Sequence, residues 1–142
     1  MNERTAYPAR DYSDSILNLR NRPVDAHCIA AYRAKMESGQ SVISFVAVDE
    51  SSQVLGYGEL VFPETLGAIY VAAPAGRCGF ASAPFRVLEA EARDRGMKAL
   101  RMESSPTACA FYVRKGFREL ERRKHALSDG LTMDCIFIEK RL

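Results

Sequence analysis

Gly76, Arg77, Cys78, Gly79, Phe80, Ala81 and Ser82 form the stretch of this chain best suited to hold a ligand. Small residues leave the backbone nearly bare there, so its N–H groups can approach a ligand closely and adopt angles that bulkier residues resist. A helix is expected from near Ser82. Its first N–H groups lack intrahelical partners and carry the positive end of the helix dipole, so loop and helix start together make a site for a phosphate or pyrophosphate. Arg77 adds a full charge. The same pattern also serves as an ordinary strand-to-helix turn with no ligand. A thiolate on Cys78 would be stabilised at a helix start, but no His or Asp lies near it in sequence to complete a nucleophilic pair. His27 and His125 read as residues on solvated surfaces. The run Arg114, Lys115, Arg118, Arg122, Arg123 and Lys124 has the charge of a nucleic-acid patch. Glu119 and Glu121 interrupt it, however, and a solvated strand face following cations at a helix C-terminus accounts for it.

A second stretch, about 30 residues further on, reads Ser-Pro-Thr-Ala-Cys-Ala-Phe-Tyr-Val-Arg-Lys-Gly-Phe from Ser105 to Phe117. At this separation the two stretches resemble the GNAT superfamily of acyl-CoA-dependent N-acyltransferases. The family's coenzyme loop, Gln/Arg-x-x-Gly-x-Gly/Ala, falls on Gly76 to Ala81; Gly79 and Ala81 match, and Gly76 departs. The family pattern Ala-x-x-Phe-Tyr-x-x-x-Gly-Phe falls on Ala108, Phe111, Tyr112, Gly116 and Phe117 and matches throughout. The resemblance spans roughly Val42 to Leu142.

This resemblance implies acetyl transfer from acetyl-CoA to a primary amine, on a small molecule or a peptide, by direct attack in a ternary complex. The coenzyme's pantetheine arm would lie along a strand and bond to backbone groups of Ile69 and Val71, as an added strand would. Its pyrophosphate would sit on Gly76 to Ser82, with Thr107, Phe111 and Tyr112 also lining the coenzyme. A backbone N–H near Val71 would face the oxyanion. Tyr112 matches the family's tyrosine that protonates the departing thiolate, a task open to a phenol with a pKa of about 10. Deprotonation of the amine calls for a carboxylate, and Glu59 and Glu103 are the candidates. Many relatives place an acid within the segment matching Thr65 to Val71, and here none follows Glu64. The alternative is a protein of the same fold that binds coenzyme A, or only itself, without catalysis.

The elements needed to position these residues follow from periodicity. Two helices, from Ser13 to Arg20 and from about Val24 to Glu37, are expected first. Cys28, Ile29, Tyr32 and Met36 would form the buried stripe of the second, and Gly39 its C-terminal cap. Ser41 to Val48 and Val54 to Phe62 read as an antiparallel hairpin, and Ala68 to Ala72 as a short strand before the loop. A helix from Ser82 to Gly96 would turn Val87, Leu88 and Ala92 inward. Lys98 to Ser104 alternates as a half-buried strand. A helix capped by Thr107 then ends at Gly116, and Phe117 to Leu127 with Leu131 to Lys140 closes the chain as a hairpin around Ser128 to Gly130.

These elements define the fold class: α/β (α+β), one domain spanning residues 1–142, with a mixed sheet flanked by helices and a splayed pair of central strands. The 142 residues, 47% hydrophobic and 27% charged, suit a single globular domain. A net charge of +2 gives no general pull towards nucleic acid or anionic membrane. Four scattered cysteines, Cys28, Cys78, Cys109 and Cys135, suggest neither a metal site nor a disulfide framework. No membrane-length apolar run or leader-like start is present, and a cytoplasmic protein is expected. Compared with the superfamily it resembles, the chain looks shortened at the N-terminus. The strand around Ser41 to Val48 would then be left with an open edge, which a second copy could cover in a homodimer.

Overall fold

The computed structural model describes residues 12–20, 25–38, 42–71 and 82–142. These gather into two compact units, one drawn from residues 25–71 and 82–98 and the other from 12–20 and 99–142. The Gly76 to Ala81 loop and the Gly39 cap lie outside the described residues. Six strands and four α-helices are found among those described, the mixed α/β composition expected from the sequence.

In the first unit, β1 (Val42–Val48) and β2 (Val54–Val61) pair antiparallel, and β2 pairs antiparallel with β3 (Thr65–Val71). Asp49 shapes the first turn, its Oδ1 accepting from Ser51 N at 2.8 Å, Ser51 Oγ at 2.7 Å and Gln53 N at 2.9 Å, as short polar side chains do at turns. One face of the three strands is apolar and receives α3 (Ser82–Asp94). Its buried stripe is Phe85, Leu88 and Ala92, at i, i+3 and i+7; Val87, expected inside, is 49% exposed. Val87 sits about 100° around the helix from Leu88, which turns it away from the sheet. Gly58 lets the helix approach: a Cβ there would lie 2.6 Å from Leu88 Cδ1.

The other face of these strands meets α2 (Ala26–Glu37), which begins at Asp25, whose carboxylate accepts from Cys28 N at 2.8 Å. The expected apolar stripe is not buried. Cys28 is exposed, Ile29 is 52% exposed, and no residue of α2 is fully buried. The reason is the surface beneath it: Ser44 and Glu59 make that surface polar, and α2 is docked by hydrogen bonds instead.

The second unit holds α1 (Asp14–Arg20), β4 (Ala99–Ser104), α4 (Pro106–Arg114), β5 (Arg118–Ala126) and β6 (Thr132–Arg141), with β6 between β4 and β5 and antiparallel to both. Leu100, Ile136 and Ile138 are buried, as are Cys109 and Tyr112 of α4, the helix that packs on β6. Gly96 and Gly116, with φ of 74° and 94°, follow α3 and α4 and end them as the sequence suggested. Four cations of the basic run are matched within the sheet: Arg118 pairs with Glu139, Arg122 with Glu119, Arg123 with Glu103 and Lys124 with Asp134.

Candidate active site

Glu59 lies on β2 facing α2 and is only 7% exposed. Tyr57, two residues earlier on the same strand face, donates to Oε2 at 2.6 Å, and Tyr32 of α2 donates to the same oxygen at 2.7 Å. Lys35, one helical turn after Tyr32, brings Nζ to 3.4 Å from Oε1. Ser44, opposite Glu59 on β1, lies 3.2 Å from the Tyr32 hydroxyl and 3.3 Å from that of Tyr57, and the two phenol oxygens also contact each other. Burial works to raise the Glu59 carboxyl, but hydrogen bonds from Tyr57 and Tyr32 and the Lys35 ammonium outweigh it and hold the group below the usual carboxylate value. Burial, reinforced by Glu59, raises Tyr57 and keeps it a neutral donor.

Room for this carboxylate is made by a bulge. Glu59 pairs with Ala68 and Leu60 with Leu66, so Gly67 has no opposite number on β2. A Cβ at Gly67 would lie 2.7 Å from Glu59 Oε1.

Because folding depresses the Glu59 carboxyl, its contribution to stability is complete above the unfolded value and disappears as pH falls through the folded one. The melting-temperature gap between the native protein and Glu59→Gln is therefore expected to be flat above roughly pH 5 and to shrink below roughly pH 4. Thermal denaturation across that range checks this.

In the second unit, Tyr112 is 5% exposed and sits edge-on between two rings, 5.1 Å from Phe111 and 5.5 Å from Phe117. Burial alone pushes its phenol up to about 12, so the O–H persists throughout the neutral range. The helix carrying it begins at Ser105, whose side chain accepts from Ala108 N at 3.2 Å, with Pro106 at the first helical position. Thr107, expected as the cap, falls inside the first turn, because proline at N1 makes the preceding residue the cap.

Glu103 is held at both oxygens, by Arg123 Nε at 3.1 Å from Oε1 and by His125 Nδ1 at 2.7 Å from Oε2. The Arg123 guanidinium lies over the Phe137 ring at 4.0 Å. A carboxylate that orients an imidazole is an arrangement suited to proton transfer. On the sequence His125 looked merely solvated, and the pairing depends on β4 and β5 reaching across the intervening β6.

Of the residues expected to bind the coenzyme, Ile69 and Val71 lie on β3 opposite Gly58 and Gly56. Ser82 opens α3, and no acidic residue lies in its first turn to oppose an anion at the dipole's positive end. Thr107 and Phe111 lie on α4 with Tyr112; Gly76, Arg77, Cys78, Gly79, Phe80 and Ala81 are outside the described residues. Among the described residues no three His, Cys, Asp or Glu side chains are grouped to hold a metal ion. None of the described helices is long and apolar enough to cross a membrane. The phenols and serine around Glu59 were not anticipated. The signal available was Tyr57 and Glu59 at period two in a glycine-rich strand, a polar pair on one face.

Comparison with known proteins agrees with this architecture. The chain resembles a GCN5-related N-acetyltransferase structure from Rhodopseudomonas palustris at a TM-score of 0.80 and 20% identity, covering 94% of this chain and 79% of that one. It resembles PaiA N-acetyltransferase from Thermoplasma acidophilum, solved with coenzyme A, at a TM-score of 0.70 and 15% identity, covering 94% and 82%. A phosphinothricin acetyltransferase from Sinorhizobium meliloti, solved with acetyl-CoA, gives a TM-score of 0.66 at 21% identity, covering 83% and 70%. At these identities the likeness is one of fold. No functionally curated protein matches. Residues 9–133 match the family model of the acetyltransferase (GNAT) domain, and with most of its length so matched the chain belongs to the GNAT acetyltransferase family.

Proposed function

We propose that this protein transfers the acetyl group of acetyl-CoA to a primary amine by direct attack within a ternary complex. The observation that carries the proposal is Tyr112: a buried phenol between two aromatic rings, held protonated, on the helix bearing the family's Phe-Tyr pattern. In the reaction the amine nitrogen bonds to the acetyl carbon, the carbon–sulfur bond breaks, and the O–H of Tyr112 is directed to the departing sulfur. Ile69 and Val71 hold the pantetheine arm through their backbones, and Gly76 to Ser82, with Thr107 and Phe111, bind the remainder. Of the two candidate carboxylates, Glu103 orients His125 in a pair suited to taking the amine's proton. Glu59, kept ionised by its neighbours, is better suited to holding an ammonium than to accepting a proton.

The proposal treats residues 1–142 as one acetyltransferase domain acting in the cytoplasm, where Cys28, Cys109 and Cys135, all free thiols, would remain reduced. It includes a homodimer covering the β1 edge, on which Val48 is exposed. Calorimetric titration tests the central claim. Acetyl-CoA is expected to bind in the micromolar range, with desulfo-coenzyme A bound comparably and ATP much more weakly. No binding at millimolar acetyl-CoA would overturn it.

A further inference from the structure

The sheet face that carries Glu59 is ordered in rows. One row runs Ser44, Glu59, Ala68 across β1, β2 and β3, and the next runs Val46, Tyr57, Tyr70. Rows on the same face of a sheet are about 7 Å apart, twice the rise per residue. The first row contains a buried, ionised carboxylate. The second is an apolar shelf open to solvent: Val46 is 56% exposed, Tyr70 is 38% exposed, and the Tyr57 and Tyr70 rings stack with centroids 6.4 Å apart and planes 17° apart. The core does not use this shelf, because the apolar packing of these strands with α3 is on their opposite face, where Gly58 meets Leu88. Nor does α2 bury any residue fully against the sheet; it reaches the carboxylate row through Tyr32 and Lys35.

The two carboxylate oxygens are not equally engaged. Oε2 takes both short phenol hydrogen bonds. Oε1 has the Lys35 ammonium at 3.4 Å, carried by a side chain that is 40% exposed. That ammonium also lies 5.8 Å from the centre of the Tyr32 ring. A primary ammonium belonging to the protein thus already occupies a position defined by one carboxylate oxygen and an aromatic face, a combination that attracts such cations. Lys35 is flexible enough to leave, and Tyr70 stands between Ile69 and Val71 on the strand assigned to the coenzyme.

We infer that Glu59 Oε1 and the Val46–Tyr57–Tyr70 row form the acceptor subsite, and that the acceptor is a primary amine carrying a ring on a short apolar arm. Its ammonium replaces that of Lys35 on Oε1, and its ring lies on the shelf one row away. Polyamines and small hydrophilic amines supply the charge but leave the shelf wet. This assignment rests on the acetyl-transfer reading and gives it a substrate class.

The test is thiol release from acetyl-CoA by the full chain with three probes: 2-phenylethylamine, n-propylamine and spermidine. Filling the shelf is expected to make kcat/KM for 2-phenylethylamine at least about tenfold higher than for either other amine. In Tyr70→Ala that ratio is expected to fall to near one. If Tyr70→Ala does not fold, Val46→Lys, which places a cation at an exposed shelf position, should produce the same loss. Equal or better use of n-propylamine or spermidine overturns the assignment while leaving the acetyl-transfer reading intact. So does a preference that survives both substitutions, or a failure to acetylate 2-phenylethylamine when acetyl-CoA binds. A shelf covered instead by a second copy would appear as a change of mass in light scattering on substitution, with no change in the ratio, and that too overturns it. The acetyl-transfer reading itself fails only on the acetyl-CoA titration.

Discussion

Replacing Tyr112 with phenylalanine is expected to lower turnover at least about tenfold while leaving acetyl-CoA affinity within about twofold. The substitution removes one oxygen and keeps the ring, so the edge-on contacts with Phe111 and Phe117 persist and the fold is not put at risk. Lost is an O–H that burial keeps in place, since the phenol titrates only near 12. With a pKa that high, the group acts chiefly by donating a hydrogen bond to sulfur as negative charge develops, an interaction stronger in the transition state than in the ground state. That is why the loss belongs in kcat and not in binding. Thiol-release kinetics on both proteins, with calorimetry for affinity, decides the matter. An unchanged kcat would remove Tyr112 from the mechanism.

The second large effect is on stability. Phe85→Ala is expected to cost about 3–5 kcal/mol, the range for deleting a buried aromatic ring. Phe85 is among the largest fully buried side chains and forms one stripe with Leu88 and Ala92. Since small domains are stable by only about 5–15 kcal/mol, this is a large fraction of the total. The melting temperature should fall on the order of 10–20 °C. Val87→Ala, two residues away but solvent-facing, should stay within about 0.5 kcal/mol. Thermal denaturation of the pair checks which residues α3 buries; equal losses would mean that Val87 shares the core.

The order of helices and strands was legible because each rests on local signals: period-two strands, glycines after helices, an Asp-Glu-Ser-Ser-Gln turn and a Ser-Asp-Gly turn. Tyr112 was legible because its neighbours at fixed spacing match a family pattern. Features decided by tertiary partners were not. Val87 and Phe85 are both apolar, and only the sheet selects the stripe containing Phe85. The Cys28, Ile29, Tyr32 and Met36 spacing is a fair apolar pattern, but the strand face below it is polar and gives the helix hydroxyl and carboxylate partners. Ser105 and Thr107 are both capping residues, and Pro106 between them held the deciding clue. Glu103 and His125 meet only because β6 pairs with both of their strands and holds them in one sheet, an order that neither residue's local sequence encodes.

The unopposed Gly67 has a consequence for how this sequence can change. By adding one residue to β3, it reverses the alternation of sides beyond it: Leu66 lies on the α3 face with Ile69 and Val71, while Ala68 and Tyr70 lie on the other. Removing that single codon would set Ala68 directly after Leu66 and leave the sides as they are, since the pairs Leu60–Leu66 and Glu59–Ala68 then follow one another with no extra residue. Tyr70 would keep to the Glu59 face, and Ile69 and Val71 to the α3 face. Losing the codon for Ile69 with the bulge kept would instead bring Tyr70 into the core and turn Val71 out. Point substitutions along β3 can therefore adjust the strand gradually, and Gly67 is a letter the message can spare, whereas a deletion beyond it acts as a reading-frame error does, leaving every later position intact but misread.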